Sequence, residues 1–299
     1  MKTAWLIEKD LHEIEFYQRM HVALDKCNIP WLDQSYTPAD NNLAKDYLTL
    51  LLSIPSEDRE RTLFVPYGSV DYIKGCHACE LMTYKTRHPP FWTFFDLHKL
   101  SFEQYTVNGA KYMLNQSFVI ITYAELKRRR DWFFDKIGKD IGKGKAIFVR
   151  PVSNDKVFTG RLFYEDSFER EIVYMGYSKP PVMDPALLVV VAPPVPLNKE
   201  YRFAVVDKKI VASTCYQQWE NGLPDNEEIQ GCDSVRVTEY AQRIASDPDF
   251  SPDDAYILDV ADTPDGPGMI EIGSINSAGW YAMDCEAVIM AIAKLAEKY

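Results

Sequence analysis

The stretch of sequence that decides the fold is AIFVRPVSNDKVFTG, residues 146–160, in which a short apolar strand leads into a polar loop. Side chains alternate along a strand with a period of two, so Ile147 and Val149 are predicted to face a core while Arg150 lies on the opposite face. The turn residues after the strand lead to Lys156. Two cations that flank one loop suit a polyphosphate, which needs charge neutralisation and several hydrogen-bond donors. The alternative is that both cations are simply solvated.

A hairpin near the C-terminus carries two acids in otherwise apolar strands, Asp259 in YILDV and Glu271 in MIEIG. Alternation predicts that both carboxylates face one surface, with Met269 on the same face as Glu271. Buried acids cost free energy unless a cation or hydrogen bonds compensate. Together with Asn276 they form a set of hard oxygen ligands that suits magnesium. The alternative is an ion pair between one acid and a Lys or Arg at the sheet surface.

Two further strands lie between these stretches. LLVVVA, residues 187–192, is a continuous apolar run that is typical of a strand buried on both faces. A hairpin at 201–214 places Arg202 on the same face as Ala204 and Val206. Arg202 is therefore a third candidate for a phosphate contact.

Composition limits the partners of this chain. Its 299 residues carry a formal net charge of -11, from 44 acidic and 33 basic side chains. This balance disfavours a broad surface for nucleic acid or anionic membrane, although it permits a local basic pocket. Six scattered cysteines do not form a disulfide scaffold, and no segment is apolar over the length of a bilayer span. We expect a cytoplasmic protein with no membrane partner and no nucleic-acid partner.

The N-terminal part alternates strands with helices, which predicts a small α/β lobe. The predicted strands are 3–7, 31–33 and 62–66, and the predicted helices are 13–26 and 42–54. Residues 67–116 are rich in aromatics and are predicted to be short elements packed on this lobe. Later helices are predicted at 123–137 and 285–298, with a flexible glycine-rich connector at 138–145. Cys76 and Cys79 have the spacing of half a zinc site, but no second pair follows, so zinc is not predicted.

Three segments, in this order, resemble the ATP-grasp superfamily. The similarity is to the divergent clade that uses arginines and a lysine and includes a eukaryotic factor for assembling the translation initiation complex. The segments are FVRPVSNDKVFTG, EYRFAVVDKKIVAST and YILDVADTPDGPGMIEIGSINSAGWY. The resemblance implies an α+β ATP-grasp fold, with two α/β subdomains that clamp a nucleotide, over residues 118–299. A small α/β lobe over residues 1–117 would precede it.

The resemblance also implies ligands for ATP. Arg150 occupies the place of the first nucleotide-binding cation and Lys156 that of the loop lysine. Arg202 matches the arginine that reaches toward the transferring phosphate. The backbone at Val190, Val191 and Ala192 matches the hinge that receives the adenine edge.

The same resemblance makes Asp259 and Glu271 the magnesium ligands. The family's strand usually ends in Glu-x-Asn, but Gly273 stands at the asparagine position here. Asn276 is the predicted substitute.

Two functions follow from this resemblance. The first is an ATP- and magnesium-dependent carboxylate-amine ligase that works through an acyl phosphate, with unidentified carboxylate and amine substrates that include peptides or proteins as candidates. Such chemistry depends on positioning and electrostatics, which agrees with the lack of a Ser-His or Cys-His constellation. The second is an ATP-binding assembly factor or chaperone-like protein without ligase turnover. Gly273 favours the second function, whereas Asp259 and Glu271 favour the first.

Overall fold

The computed structural model describes residues 1–9, 11–37, 42–83, 91–96, 98–153, 157–174, 183–220, 223–225 and 227–299. In this part of the chain the strands form three sheets. The first sheet along the chain has three strands, the middle sheet five and the third sheet six. The first sheet is parallel, while the pairs in the other two are antiparallel. The protein is therefore an α+β protein with a parallel α/β lobe at its N-terminus.

The N-terminal lobe has the predicted strand and helix alternation. Its strands are β1 (Lys2–Glu8), β2 (Trp31–Gln34) and β3 (Thr62–Tyr67), in the order β2-β1-β3. Its helices are α1 (Ile14–Lys26), α2 (Asn42–Ser53), α3 (Ser56–Arg59) and α4 (Val70–Thr83). The predicted ends agree to within one residue, because each apolar run ends at a polar or turn residue. The sequence pattern does not predict α4, since its apolar residues do not follow one helical face.

The middle sheet contains the first part of the stretch AIFVRPVSNDKVFTG, residues 146–151. Its strands are β4 (Val119–Thr122), β5 (Lys139–Asp140), β6 (Lys145–Pro151), β7 (Arg161–Tyr164) and β8 (Leu188–Ala192), with the order β4-β8-β6-β5 and β7 beside β6. Ile147 and Val149 are fully buried in one core, as predicted, and Arg150 lies on the other face. The predicted connector at 138–145 is wrong, because β5 pairs with β6 and makes a hairpin there.

The helices of this part are short. The helix predicted at 123–137 is two helices, α6 (Tyr123–Arg128) and α7 (Arg130–Lys136), which follow α5 (Phe102–Gly109). The helix is interrupted at Arg129, whose φ of -112° and ψ of 26° are not helical. α8 (Phe168–Glu171) comes after β7.

The third sheet carries the two predicted hairpins. Its strands are β9 (Lys199–Val206), β10 (Lys209–Glu220), β11 (Leu223–Asp225), β12 (Ile229–Gln230), β13 (Ala255–Asp262) and β14 (Gly268–Gly273). The order is β11-β10-β9-β13-β14, and β12 pairs with β10. α9 (Val235–Ser246) packs on the face that carries Phe203, whereas α10 (Cys285–Ala296) packs on the face that carries Ala204.

A β-bulge corrects one predicted face. The register of β13 and β14 pairs Asp259 with Glu271 but Val260 with Met269, so Ile270 has no partner of its own in this ladder. The extra residue turns Met269 to the side of Val260, in the core beneath α9, and away from Glu271. The two carboxylates still lie side by side, because they are on the same side of the bulge.

The aromatic segment 67–116 divides among three cores. Phe91 and Phe94 pack on the N-terminal lobe as predicted, but Phe102, Tyr105 and Tyr112 pack on the third sheet. The domain boundary between residues 117 and 118 stays a prediction. In the described part of the chain, no helix is long and apolar enough to cross a membrane.

Candidate active site

A cavity of about 760 Å³ lies between the middle sheet and the third sheet. Its walls include Phe148, Arg150 and Val190 from the middle sheet and Glu200 and Met269 from the third. The loop between β5 and β6 also contributes to the lining. The volume is within the usual range of a pocket for a small molecule or cofactor. The predicted polyphosphate cation Arg150 therefore lies in the wall of a cavity of suitable size.

Arg202 and Asp259 form a buried ion pair on neighbouring strands. They face each other directly in the β9–β13 register. Arg202 donates from Nε to Asp259 Oδ1 over 2.8 Å and from Nη2 to Oδ2 over 2.7 Å. Its Nη1 donates to the carbonyl of Gly279 over 2.8 Å. Burial alone would lower the pKa of Arg202, but the adjacent carboxylate outweighs burial and raises it. The guanidinium is therefore charged and fixed in its plane.

Two tyrosines, whose rings stack on each other with centres 5.1 Å apart, lie against the same guanidinium. The ring centres of Tyr216 and Tyr281 lie 5.1 and 4.8 Å from Arg202 Cζ. Tyr281 has a φ of +49°, a backbone conformation that a bulky residue adopts only at a free-energy cost. The loop after β14 thus places an aromatic ring on Arg202 despite this strain.

Arg150 reaches from the middle sheet to the third sheet. It donates from Nη2 to Glu271 Oε2 over 2.8 Å and from Nη1 to the carbonyl of Ile270 over 3.1 Å. The bulge leaves Ile270 outside regular pairing, so its carbonyl can accept this bond. The ring centre of Phe102 lies 5.6 Å from Arg150 Cζ. The side chain of Arg150 is 10% exposed, whereas that of Glu271 is 34% exposed.

These four residues form one charged row, with two adjacent carboxylates in the middle and an arginine at each end: Arg202, Asp259, Glu271 and Arg150. Cross-strand pairing joins Asp259 to both Arg202 and Glu271. The structure thus brings together four of the predicted site residues. In the part of the chain that is described, no cluster of three or more His, Cys, Asp or Glu side chains could hold a metal on its own. A magnesium ion bound at two carboxylates would need phosphate oxygens or water to complete its shell.

Glu200 is a fifth charged group of the site. It lies on the same face of β9 as Arg202, lines the cavity, and accepts a hydrogen bond from the Tyr216 hydroxyl. Burial raises the pKa of Glu200 to about 7; the bond from Tyr216 opposes the rise, and the charges of Asp259 and Glu271 add to it. The sequence patterns did not single out Glu200. Its position two residues before Arg202 could have done so, because strand alternation places both side chains on one face.

Asn276 lies in a different environment from the one predicted. Its Oδ1 accepts from the backbone N–H of Phe94 over 2.7 Å, and its Nδ2 donates to the carbonyl of Pro66 over 2.7 Å. Its own carbonyl accepts from Gly68 N–H over 2.9 Å. The residue is 1% exposed, and these bonds direct its amide to the N-terminal lobe. Asn276 thus joins the lobe to the loop after β14, and a role for it as a metal ligand stays a prediction.

The remaining predicted ligands also stay predictions. Lys156 lies outside the described residues. Val190 and Ala192 line the cavity. Val191 faces the opposite core and pairs with Val119 and Val149, so only its backbone could contact a ligand.

Comparisons with known proteins were made on sequence and on structure. Residues 128–291 match the family model described as ATP-grasp domain, R2K clade family 2. Among curated proteins, none matches this chain in sequence. The match to the family model covers more than half of the chain.

Similar solved structures include three ligases. D-alanine–D-alanine ligase from Bacillus anthracis has a TM-score of 0.54 at 11% identity and covers 100% of this chain and 98% of its own. ATP-grasp ligase PsnB complexed with minimal precursor has a TM-score of 0.52 at 11% identity and covers 99% of both chains. VanG D-Ala:D-Ser ligase from Enterococcus faecalis has a TM-score of 0.57 at 10% identity and covers 99% of this chain and 98% of its own. These similarities show the fold alone, and they confirm the predicted ATP-grasp fold.

Proposed function

Since this chain belongs to family 2 of the R2K clade of ATP-grasp domains, we propose that it is an ATP- and magnesium-dependent carboxylate-amine ligase that works through an acyl phosphate. The observation that carries the proposal is the row from Arg202 to Arg150, which has two arginines and two carboxylates and reaches a cavity of about 760 Å³ at Arg150. A row of this composition can neutralise a polyphosphate and hold a divalent cation at one place.

The cations have separate tasks in this proposal. Arg150, in the cavity wall, and Lys156, six residues later in the sequence, bind the phosphates of ATP. The hinge at Val190–Ala192 receives the adenine edge. Arg202 is the catalytic residue, because its planar fork can stabilise the charge on the transferring phosphoryl group.

The two carboxylates fit magnesium by the chemistry of their donors. Asp259 and Glu271 are neighbours across β13 and β14 and supply hard oxygen ligands. In the structure both accept from arginines, so binding of the metal needs these arginines to turn to phosphate. When bound, magnesium supplies positive charge against the transferring phosphoryl group. In this exchange each carboxylate replaces its arginine with magnesium, and each arginine replaces its carboxylate with phosphate. The same four residues can therefore bind both the metal and ATP.

The substrates are a carboxylate, which is phosphorylated, and an amine, which attacks the resulting acyl phosphate. A peptide or protein is the proposed substrate class. One solved complex of PsnB contains precursor peptide PsnA2 and AMPPNP. The similarity to PsnB supports this choice only through a shared fold.

The test is release of ADP and phosphate from ATP with pooled amino acids and short peptides. Arg202→Lys keeps a charge against Asp259 but loses the fork. We expect this variant to bind ATP within a few fold of the wild type and to turn over roughly a hundredfold more slowly. The control is Arg236→Lys, because Arg236 also pairs with a carboxylate of the third sheet, Asp262, but at an exposed position. Equal turnover by Arg202→Lys and the wild type would contradict the role of Arg202.

One observation favours an ATP-binding assembly factor without turnover. Gly273 supplies no side-chain ligand, and the amide of Asn276 is engaged with the N-terminal lobe. A wild type that binds ATP with magnesium but releases no ADP with any acceptor would support this second function.

A further inference from the structure

Tyr105 carries a buried hydroxyl whose own proton finds no acceptor among the described residues. The residue lies on α5 and is 3% exposed. A buried O–H without an acceptor lowers the stability of the folded state. Since such groups are uncommon in folded proteins, this one calls for an explanation.

The hydroxyl of Tyr105 is next to the charge row. Burial raises the pKa of Tyr105, and the charges of Glu271 and Asp259 raise it further; the charge of Arg150 and a hydrogen bond from its guanidinium to the hydroxyl lower it. Phe102, one helical turn earlier, lies against the guanidinium of Arg150, with 5.6 Å between the ring centre and Cζ. The backbone N–H of Phe102 donates to the carbonyl of Val152 over 3.0 Å, which fixes the start of α5 to the end of β6. α5 therefore covers the Arg150–Glu271 ion pair.

Glu271, one of the two hydrogen-bond partners of Arg150, is the candidate acceptor for the Tyr105 hydroxyl. Glu271 Oε2 accepts from Arg150 over 2.8 Å in the structure. When Arg150 turns to phosphate, this carboxylate loses its donor. A tyrosine hydroxyl offers one donor, and carboxylates that bind metals are held in orientation by such neighbouring donors.

We propose that Tyr105 is a positioning residue of the metal site, and that its hydroxyl donates to Glu271 once Arg150 has turned to the phosphates of the bound nucleotide. The inference rests on the proposed binding of magnesium and ATP. It adds a residue from outside the 128–291 segment that matches the family model. The O–H of Tyr105 is thus a donor whose acceptor becomes available in the bound state.

The test is a titration with magnesium in the presence of a non-hydrolysable ATP analogue, followed by calorimetry. Tyr105→Phe keeps the ring and removes only the hydroxyl. We expect the midpoint for magnesium to rise roughly tenfold, as is usual when a group that orients a metal ligand is lost. The melting temperature without ligands should be unchanged or higher, because a buried O–H without an acceptor has been removed.

The matched control is Tyr256→Phe. The Tyr256 hydroxyl is also buried without an acceptor among the described residues, and the residue is 2% exposed. Burial alone raises its pKa, so no charged group of the site acts on it. We expect its midpoint for magnesium to equal that of the wild type.

A second variant tests whether Tyr105 acts through Glu271. In the background of Glu271→Gln, Tyr105→Phe should change the midpoint no further, because the two substitutions remove one shared interaction. An additional tenfold change there, or a wild-type midpoint for Tyr105→Phe alone, would overturn the inference and leave the proposed function intact. A wild type that binds no nucleotide would overturn both.

Discussion

Arg202 and Asp259 face each other on adjacent antiparallel strands and share two parallel hydrogen bonds, of 2.8 and 2.7 Å, in a pair whose side chains are 10% and 2% exposed. The second pair of the row, Arg150 and Glu271, joins two different sheets and is more open, since the Glu271 side chain is 34% exposed. In the absence of ligands, each candidate metal ligand thus neutralises a candidate phosphate ligand. Binding of magnesium and of ATP should therefore depend strongly on each other.

The first prediction concerns the stability of the two ion pairs. Asp259→Asn should lower the free energy of unfolding by about 3 kcal/mol or more, because it leaves a buried guanidinium without its counter-charge. Glu271→Gln should lower it by less, because water reaches the more exposed carboxylate and the buried Arg150 keeps its bond to the Ile270 carbonyl. Urea denaturation measures both values.

The control for this prediction is Asp207→Asn. Asp207 pairs with Lys298 at the surface, with side chains that are 48% and 56% exposed. Its substitution should cost about 1 kcal/mol or less, because water screens both charges. Equal losses for Asp259→Asn and Asp207→Asn would show that the burial of the Arg202 pair does not matter.

The second prediction is a pH dependence that comes from Glu200. Its pKa rises from an ordinary 4.5 to about 7 in the folded protein. Between these values the folded state holds a proton that the unfolded state has lost, so this group makes the stability fall as the pH rises. Above pH 7 the penalty is complete and constant.

Glu200→Gln tests this dependence. The variant can still accept a hydrogen bond from Tyr216, but it has no charge to bury. Its melting temperature should match that of the wild type near pH 4.5 and exceed it by a few degrees at pH 8. The same difference at both pH values would contradict the raised pKa of Glu200.

The third prediction separates two roles for Asn276. Asn276→Asp replaces the donor to the Pro66 carbonyl with an anionic oxygen, and the site is buried. The free energy of unfolding should fall by about 2 kcal/mol or more. The magnesium midpoint of the folded variant should not change. Tighter magnesium binding without loss of stability would instead show that Asn276 is a metal ligand.

Much of this fold was predictable because alternation fixes the faces of regular strands. Ile147, Val149 and Arg150 lie on the predicted sides of β6, and Arg202 lies on the predicted side of β9. Met269 does not, because a bulge adds a residue that a period of two cannot show. Strand alternation therefore predicted which side chains form the charged surface, but not the bulge in β14 next to it.

The partners of the charged residues could not be predicted. Arg150 and Glu271 are 121 residues apart, and they meet because two sheets close on one cavity. Asn276 was predicted as a ligand from its position after β14, but the position of the N-terminal lobe decides its bonds. Tyr105 belongs to a segment whose weak periodicity concealed the helix that brings it to Arg150. Contacts of this kind depend on tertiary packing, which local sequence patterns do not encode.

The most direct test of exchange between ion pairs and ligands is calorimetric titration of ATP into the wild type and Glu271→Gln, each with and without magnesium. Loss of the Glu271 charge frees Arg150 for phosphate but removes a metal ligand. We predict that the variant binds ATP more tightly than the wild type without magnesium and at least about tenfold more weakly with it, a difference of about 1.4 kcal/mol. An effect of the same sign in both buffers, or no effect in either, would contradict the account.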